Sequence, residues 1–239
     1  MKENALPFQP NESKNLEITT ENYGTYNRYP VKTHVIMDTD NMINVVDTYL
    51  DGYVKPDDYV FISEKIVAIT QGRAFPIDEI KPGWWARTLC KFVYKTPYGI
   101  GLGMPCTMEL AIREIGLPKI LFAAACSAVT KLFGIRGVFY RILGEKARAI
   151  DGPCDCTIPP YNNYAKLAPD RPDDVAKELS NHLGVKVVII DANDLGVEVL
   201  GRSDKNAIDI DFCKQVFKDN PLDQSAQQTP LCIVRKAED

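Results

Sequence analysis

The stretch "KVVIIDAND", residues 186–194, decides the fold class because it carries the strongest signal for a buried strand in the chain. Four apolar residues take the backbone into the core and are followed at once by acidic and amide side chains. A helix over residues 172–183, closed by Gly184, precedes this strand, and "GVEVLG" at residues 196–201 predicts a further strand after it. Strands that alternate with helices predict a mixed α/β (α+β) domain with a mixed sheet and flanking helices.

The same patterns place the other elements. Further strands are predicted at "YPVKTHVIMD" (29–38), "DDYVFISEKIVAITQGRAF" (57–75), "VFYRIL" (138–143) and "LCIVR" (231–235). Helices are predicted at "TDNMINVVDTYL" (39–50), residues 105–115, "KILFAAACSAVTKLFG" (119–134) and "AIDIDFCKQVFKDNP" (207–221). The helix over residues 119–134 is apolar almost all round, which predicts a core helix. Residues 1–30 are predicted to be a peripheral lead-in, and residues 31–239 to form one large domain.

The composition limits the classes of function. Of the 239 residues, 45% are hydrophobic and 25% are charged, which is typical of a globular protein with a sizeable core. The net charge of −4 argues against a nucleic-acid partner but leaves a bound nucleotide open. The N-terminal stretch has no apolar leader, and the longest uncharged apolar run, Ile120–Thr130, is too short to span a bilayer. The sequence therefore predicts a cytoplasmic protein with no membrane partner, and its seven cysteines predict reduced thiols.

Oxygen-bearing side chains follow the buried strand at Asp191, Asn193 and Asp194. The carboxyl end of a buried strand opens into the crevice where α/β proteins bind ligands. Hard cations such as Mg²⁺ prefer oxygen ligands of this kind. A turn that leads into the next strand explains the same residues equally well, and both interpretations remain open.

The stretch "ARAIDGPCDC", residues 147–156, contains a second aspartate and two cysteines. By itself Asp151 is typical of a turn, but two aspartates from separate segments could share one divalent ion. The pair Cys154 and Cys156 is half of a zinc site, yet neither His34 nor His182 has the spacing of a further ligand. We therefore favour Asp151 over the cysteines as the residue that carries chemistry.

Two other stretches are candidates for binding an anion. "YGIGLGMPCT", residues 98–107, leads glycines into a helix but lacks the Rossmann and P-loop patterns, so a tight turn is the favoured interpretation. "SEKIVAITQGR", residues 63–73, places Lys65 and Arg73 around an apolar segment, where they are either solvated or reach a phosphate. Asp38 and Asp40 are more typical of helix caps than of metal ligands.

Together these stretches resemble the gamma-glutamyl ligase family of the deazaflavin coenzyme F-420, over residues 30–235. "PVKTHVIMDTDN" looks like the family's first strand and loop, and "SEKIVAITQGR" is similar to its Thr-Ser-Lys-Val-Val-Ser-Lys-Ala-Glu-Gly-Arg stretch. "AIDG" falls where the family has Gly-Ile-Asp-x-Ser-Asn, and "VVIIDAND" where it has Val-Ile-Ile-Thr-Asp-Thr-Asn. "TPLCIVR" fits the family's last strand.

The resemblance implies a ligase that uses GTP to join an acid to the amine of L-glutamate. It implies that Mg²⁺ or Mn²⁺ is held by Asp151 and Asp191, with Asn193 and Asp194 as supplementary ligands. It further implies nucleotide contacts, which we assign to His34, Ser63, Lys65 and Arg73. The sequence departs from the family pattern in four places. Ile69 replaces its second lysine, and Ala192 replaces its metal-binding threonine. The "PCDC" region replaces the Ser-Asn after the first aspartate, and the family's long segment before the last strand is shortened to about residues 195–229.

Two further expectations follow from the resemblance. The partners implied are a nucleotide and small acid and amino-acid substrates. Because members of the family form dimers, the resemblance also implies that this chain forms a homodimer. A different class of function also remains open, namely a non-catalytic or regulatory protein that kept the fold and binds nucleotide or metal without turnover. The replacement at Ile69 favours that alternative.

Overall fold

The computed structural model describes residues 14–93, 101–155, 157–193, 196–223 and 227–237. Two compact units are present: unit 1 is built from the described residues up to Gln71 and from Pro169 onward, and unit 2 is Gly72–Ala168. Helices and strands are mixed along the chain, so the predicted mixed α/β class is confirmed. Two residues singled out in the sequence, Cys156 and Asp194, lie outside the described residues.

The described strands are β1 (Glu17–Thr19), β2 (Thr25–Val31), β3 (Tyr59–Ser63), β4 (Ala74–Pro76), β5 (Tyr164–Lys166), β6 (Lys186–Asn193), β7 (Gly196–Arg202) and β8 (Leu231–Lys236). The described α-helices are α1 (Met42–Leu50), α2 (Glu64–Thr70), α3 (Trp84–Leu89), α4 (Pro105–Ile115), α5 (Leu117–Leu132), α6 (Val138–Leu143), α7 (Glu145–Arg148), α8 (Pro172–Leu183) and α9 (Ile210–Val216).

Unit 1 contains a six-stranded mixed sheet with the strand order β1-β2-β8-β3-β6-β7. Only the β3–β6 pair among these described strands is parallel, with Ser63 aligned to Ile190 near the carboxyl ends of both. The apolar run from Val187 to Ile190 is fully buried, as predicted for a central strand. The sheet therefore brings the carboxyl ends of β3 and β6 to one edge.

Two buried ion pairs tie distant segments of unit 1 together. The fully buried Arg28 guanidinium donates to Asp219, and also to the Val216 carbonyl at 3.1 Å. Arg235 on β8 donates two hydrogen bonds, of 2.8 and 2.7 Å, to the buried carboxylate of Asp58. A buried charge is tolerated only when it is paired and hydrogen-bonded, and both pairs meet that condition.

The predicted helix boundaries in unit 1 are largely confirmed. Asn41 caps α1 by accepting a 2.8 Å hydrogen bond from the Ile43 N–H. Pro172 opens α8, and Gly184 ends it with a positive φ of 72°, which glycine adopts without a steric penalty. The segment 57–75, predicted as a central strand with an irregular exit, is the central strand β3 followed by α2 and then β4, because the chain leaves the sheet at Ser63.

The predicted strand at 29–38 is also shorter than expected. Its strand part is the end of β2, which stops at Val31. From there the chain turns, with Met37 accepting from the Asp40 N–H at 3.1 Å and donating to the Asp40 carboxylate at 2.7 Å. The alternation of apolar residues past Val31 therefore reflects a turn held by Asp40 and not a ladder.

Unit 2 is mainly helical, with β4 and β5 paired antiparallel. Its core contains Leu102, Met108, Leu110, Ile120 and Ile150. The predicted strand "VFYRIL" is wrong, because these residues form α6 between two positive-φ glycines, Gly137 and Gly144. A six-residue apolar run does not distinguish a strand from a short helix by periodicity alone.

The prediction that residues 119–134 form a core helix is half correct. The segment is helical as part of α5, but only Ile120 and Ala123 of that helix are buried. Leu132 is 85% exposed and Phe122 is 62% exposed. No single helix in the described ranges is long and apolar enough to cross a membrane, although α4 and α5 pass that test together as a pair bent by 115°.

The prediction that every cysteine is a reduced thiol is corrected at Cys154, which is disulfide-bonded. Five other described cysteines are free: Cys90, Cys106, Cys126, Cys213 and Cys232. Burial raises the pKa of the Cys213 and Cys232 thiols to about 12, so neither is a thiolate at neutral pH.

Candidate functional site

The parallel pair β3 and β6 builds the candidate site in unit 1. Ser63 is the last residue of β3 and is aligned with Ile190, so Asp191 is the next residue of β6 at the same edge. The β3 chain then enters α2, which places Lys65 one residue beyond its first residue. Ser63, Lys65 and Asp191 are all half-buried. In α/β proteins this edge is the one that binds ligands.

Asp191 and Asn193 lie within β6 and not in a turn after it. Residues two apart on a strand project from the same face, so these two side chains share one face of the sheet. Ala192 between them packs against the apolar cluster on the opposite face, together with Ile190. The interpretation of Asp191 as a turn residue is therefore wrong, because strand pairing continues to Asn193.

The hairpin between β6 and β7 adds a carboxylate that the sequence analysis missed. Asp191 is paired directly with Glu198 on β7, and Asn193 with Gly196. Directly paired residues on antiparallel strands project from the same face, and two like charges in such a pair repel each other. A bound cation would relieve this repulsion, and its ligands would be the oxygen atoms that hard cations prefer. The only signal in the sequence was the register of a short hairpin.

Two buried residues, Glu64 and Ile69, lie on the same helix as Lys65. Glu64, the first residue of the helix, is buried at 4% exposure. Ile69, which stands where the family has a second lysine, is also buried and packs in the core. Position 69 therefore presents no charged group at this edge, and Lys65 is the cation that α2 contributes there.

His34, predicted to contact nucleotide, belongs to a network of its own. Its Nδ1 lies 2.7 Å from the Tyr49 hydroxyl and its Nε2 lies 3.1 Å from an Asp40 carboxylate oxygen. The Met37 backbone N–H and the imidazole outweigh partial burial and hold the pKa of Asp40 below its ordinary value. These contacts fix the His34 ring between α1 and the turn before it.

Arg73, the other predicted nucleotide contact, lies in unit 2. Its Nε donates to the Ala168 carbonyl at 2.5 Å, and its Nη2 lies 2.9 Å from Glu114. Lys146 reaches the same Glu114 oxygen at 3.1 Å. Burial favours the neutral form of Glu114, but these two cations outweigh it and hold the pKa of Glu114 below its ordinary value. These contacts of Arg73 are thus internal to unit 2.

Asp151 also lies in unit 2, where it pairs with the end of β5. It exchanges two backbone hydrogen bonds with Lys166, of 2.9 and 2.8 Å, as an isolated antiparallel bridge. Such a pair places both side chains on one face. Lys166 is 4% exposed, which is rare for a lysine unless a carboxylate or other partner accompanies it. No pattern in the sequence marked Lys166 as the residue opposite Asp151.

The glycine-rich stretch forms a tight turn in its described part. Gly101–Gly103 is a single 3-10 turn, and Pro105 is the first residue of α4, as predicted. A side chain at Gly101 would come within 3.1 Å of the Tyr140 hydroxyl, so the turn is packed against α6. Residues 98–100 of the stretch lie outside the described residues. This packing supports the turn over a phosphate-binding loop.

No cluster of three or more histidine, cysteine, aspartate or glutamate side chains suited to a metal ion occurs within the described ranges. The donor set on the β6–β7 hairpin is two carboxylates, Asp191 and Glu198, and the amide oxygen of Asn193. These donors match the chemistry of Mg²⁺ and Mn²⁺, which commonly complete their coordination with water and substrate phosphates. The residues present therefore fit such an ion.

Fold and site together define a mixed α/β protein with carboxylate and amide oxygens and a lysine at the carboxyl edge of a parallel strand pair, the edge where α/β proteins bind ligands. The family described as F420-0:Gamma-glutamyl ligase matches residues 30–199. The chain therefore belongs to this ligase family, as its sequence resemblance predicted.

The chain is also similar to a curated relative, the uncharacterized protein MJ1361 of Methanocaldococcus jannaschii. The two are 28% identical over 172 residues, which cover 69% of this chain and 56% of the relative. The chain thus spans little more than half the length of that relative.

Proposed function

We propose that this protein is a ligase that uses GTP and a divalent cation, Mg²⁺ or Mn²⁺, to join L-glutamate or a similar amine to an acid. Membership of the ligase family supports the reaction class. The single observation that carries the proposal is the edge of unit 1, where β3 leads to Lys65 and β6 carries Asp191.

The proposal assigns oxygen ligands for the cation to Asp191, Asn193 and Glu198 in unit 1. It assigns the same chemistry to Asp151 in unit 2 on the family resemblance. When bound, the cation would neutralise charge on the nucleotide phosphates. The half-buried Lys65 would donate hydrogen bonds to a phosphate oxygen as a compact positive charge.

In the proposed reaction, a carboxylate oxygen of the acid attacks the γ-phosphorus of GTP, and the bond to the β-phosphate oxygen breaks to release GDP. The neutral amine nitrogen then attacks the acyl phosphate carbon, the carbon–oxygen bond to the phosphate breaks, and inorganic phosphate leaves as the nitrogen loses a proton to solvent and the amide forms. Phosphoryl transfer of this kind depends mainly on positioning and on stabilising charge. The protein's contribution would be Lys65 and the carboxylates that hold substrate and cation in place.

The test measures phosphate release from GTP with Mn²⁺, L-glutamate and a panel of small carboxylic acids. We expect release only when acid, amine and cation are all present, and Lys65→Met should reduce it about a hundredfold or more. Lys177→Met, which changes an exposed lysine on α8, is the matched control and should leave release unchanged. Release that is insensitive to Lys65→Met would contradict the proposal.

A second candidate is a regulatory protein that binds nucleotide or cation without turnover. The buried Ile69 favours it, because one cation of the family pattern is missing at this edge. Thermal unfolding with GTP, ATP and Mn²⁺ distinguishes the candidates: stabilisation by GTP without phosphate release from any acid tested would support the binding protein. On the family resemblance we also propose a homodimer, which sedimentation equilibrium would test.

A further inference from the structure

Unit 2 exposes an apolar surface on α5 and on the loop that follows it. We define the α5 apolar face by the exposed side chains of Phe122, Val129, Leu132, Phe133 and Ile135. Leu132 and Phe133 are 85% and 76% exposed. Single exposed apolar residues are ordinary, but a contiguous group of large ones marks an interaction surface.

The helix geometry shows that this face is continuous. Positions 122, 125, 129 and 132 are separated by three or four residues, so their side chains follow one side of α5. All four are exposed. The two buried residues of the helix, Ile120 and Ala123, lie on the other side and pack in the core of unit 2. The helix is therefore held to unit 2 by one side and presents apolar groups on the opposite side.

The segment that carries this face has charges of positive sign only. Between Glu114 and Glu145 the chain contains no aspartate or glutamate, although the whole protein has a net charge of −4. The same segment contains four basic residues, all exposed: Lys119, Lys131, Arg136 and Arg141. The α5 apolar face thus lies in a segment whose formal charge is +4.

The positive charge distinguishes between two occupants of the apolar face, a second copy of the chain and a lipid bilayer. A second copy related by two-fold symmetry would bring the same patch against itself, so the basic residues of one copy would approach the basic residues of the other. An anionic bilayer has the opposite property, since it attracts cations to its surface and accepts apolar side chains just below the headgroups. The combination of exposed apolar residues and flanking cations favours the bilayer.

We propose that unit 2 binds the surface of anionic phospholipid bilayers through the α5 apolar face, with α5 lying in the plane of the interface. Phe122, Leu132 and Phe133 would enter the boundary between headgroups and acyl chains. Lys131 and Arg136, which flank the exposed end of the helix, would contact lipid phosphates. The expectation of no membrane partner was based on the length needed to span a bilayer, a criterion that does not apply to binding at its surface.

The test is cosedimentation of the full chain with vesicles of phosphatidylcholine alone or of phosphatidylcholine with 30% phosphatidylglycerol. We expect binding to the anionic vesicles at about 0.1 M salt, and a clear loss at about 0.5 M salt because the lipid charge is then screened. The double variant Leu132→Ser, Phe133→Ser should weaken binding about a hundredfold through the loss of two apolar groups. Lys131→Glu with Arg136→Glu should weaken it about thirtyfold or more.

Matched controls separate this surface from general stickiness and general charge. Ile210→Ser removes an exposed apolar residue of unit 1, and Lys177→Glu with Lys218→Glu makes the same charge change in unit 1. Neither control should change binding by more than about twofold. Circular dichroism verifies that each variant is folded. All of these substitutions are at exposed positions.

Three results would overturn the proposal. One is equal binding to neutral and anionic vesicles, or no binding to either. Another is equal loss of binding in the unit 1 control variants. The third is self-association of the free protein that the Leu132→Ser, Phe133→Ser variant abolishes, combined with no vesicle binding, since the face would then be occupied by a second copy. The assay measures no ligase activity, so it fails or succeeds independently of the proposed reaction.

Discussion

Asp151 and Lys166 form a directly opposed pair in unit 2, joined by two backbone hydrogen bonds of 2.9 and 2.8 Å. Their side chains project from one face, so the buried lysine lies next to the aspartate that the family resemblance marks as a metal ligand. We therefore expect a variant of Asp151 to affect the structure as well as the proposed metal binding.

We predict that Lys166→Met changes stability by a smaller amount than Asp151→Ala does. Asp151→Ala removes a half-buried side chain that shares a face with the buried Lys166, whereas methionine retains the packing of the lysine stem, so we expect the alanine variant to lose about 1–2 kcal/mol more. Urea unfolding of both variants measures this difference. Equal losses of unfolding free energy would show that the two side chains do not interact.

For the carboxylate pair of Asp191 and Glu198 on the β6–β7 hairpin, we predict that removing one charge has opposite effects with and without metal. In the presence of a chelator, Glu198→Gln should stabilise the protein by about 0.5 kcal/mol, because it removes the repulsion from Asp191. With Mn²⁺ the same variant should bind the ion at least about tenfold more weakly. Thermal unfolding with and without Mn²⁺ measures both effects.

Two variants provide the comparison for this prediction. Asp191→Asn should also weaken Mn²⁺ binding, because it removes the other carboxylate of the same pair. Glu178→Gln, an exposed position on α8, should reproduce neither effect of Glu198→Gln. If Mn²⁺ stabilises wild type and Glu198→Gln equally, then Glu198 is not a ligand.

The buried pair of Asp58 and Arg235 should be important for the stability of unit 1. Asp58→Asn keeps the shape of the side chain but leaves the Arg235 guanidinium without its carboxylate, so we expect a loss of about 2–3 kcal/mol. Asp57→Asn changes the exposed neighbour in the same way and should cost less than about 0.5 kcal/mol. Urea unfolding at neutral pH measures both, and similar losses would refute the role of the buried pair.

Glu114 should make the stability of the protein depend on acid pH. Its pKa is lowered in the folded state, so its contribution is present above the ordinary carboxyl pKa of 4.5 and is lost as the pH falls through the lower folded value. Glu114→Gln should therefore destabilise the protein at pH 7 by about 2 kcal/mol, and by progressively less below pH 4.5. Urea unfolding across this range measures the trend.

The exposed Glu79 in the same unit supplies the control for the acid dependence. Glu79→Gln should follow the wild-type curve at every pH. A Glu114→Gln curve parallel to that of wild type down to pH 3 would mean that the contacts with Arg73 and Lys146 do not favour the charged form.

Comparison of sequence and structure shows which features are local. β6 was predictable because four consecutive apolar residues require burial whatever their partners are. The caps at Asn41 and Gly184 were predictable because each depends on one residue and its own backbone. Lys166 and Glu198 were not predicted, because the role of each depends on the residue opposite it on the neighbouring strand. Composition does not determine the register of strand pairing.

The errors have related causes. α6 resembled a strand because "VFYRIL" is rich in β-branched and aromatic residues, whereas the glycines on both sides allow a single isolated helical segment. α5 resembled a core helix because its composition is apolar, but burial depends on how much of the chain is available to cover it. The exposure of α5 is therefore informative in a way that its sequence alone was not.

The position of β8 in the sheet bears on how the chain folds during its synthesis. β8 lies between β2 and β3 in the sheet, so these two strands are not bridged until residues 231–236 have left the ribosome. Until then each keeps an unpaired edge, and such edges pair readily with other chains. The helices of unit 2 come from one continuous stretch and can form earlier. Both edges therefore stay open to other chains until residues 231–236 emerge and β8 pairs with β2 and β3.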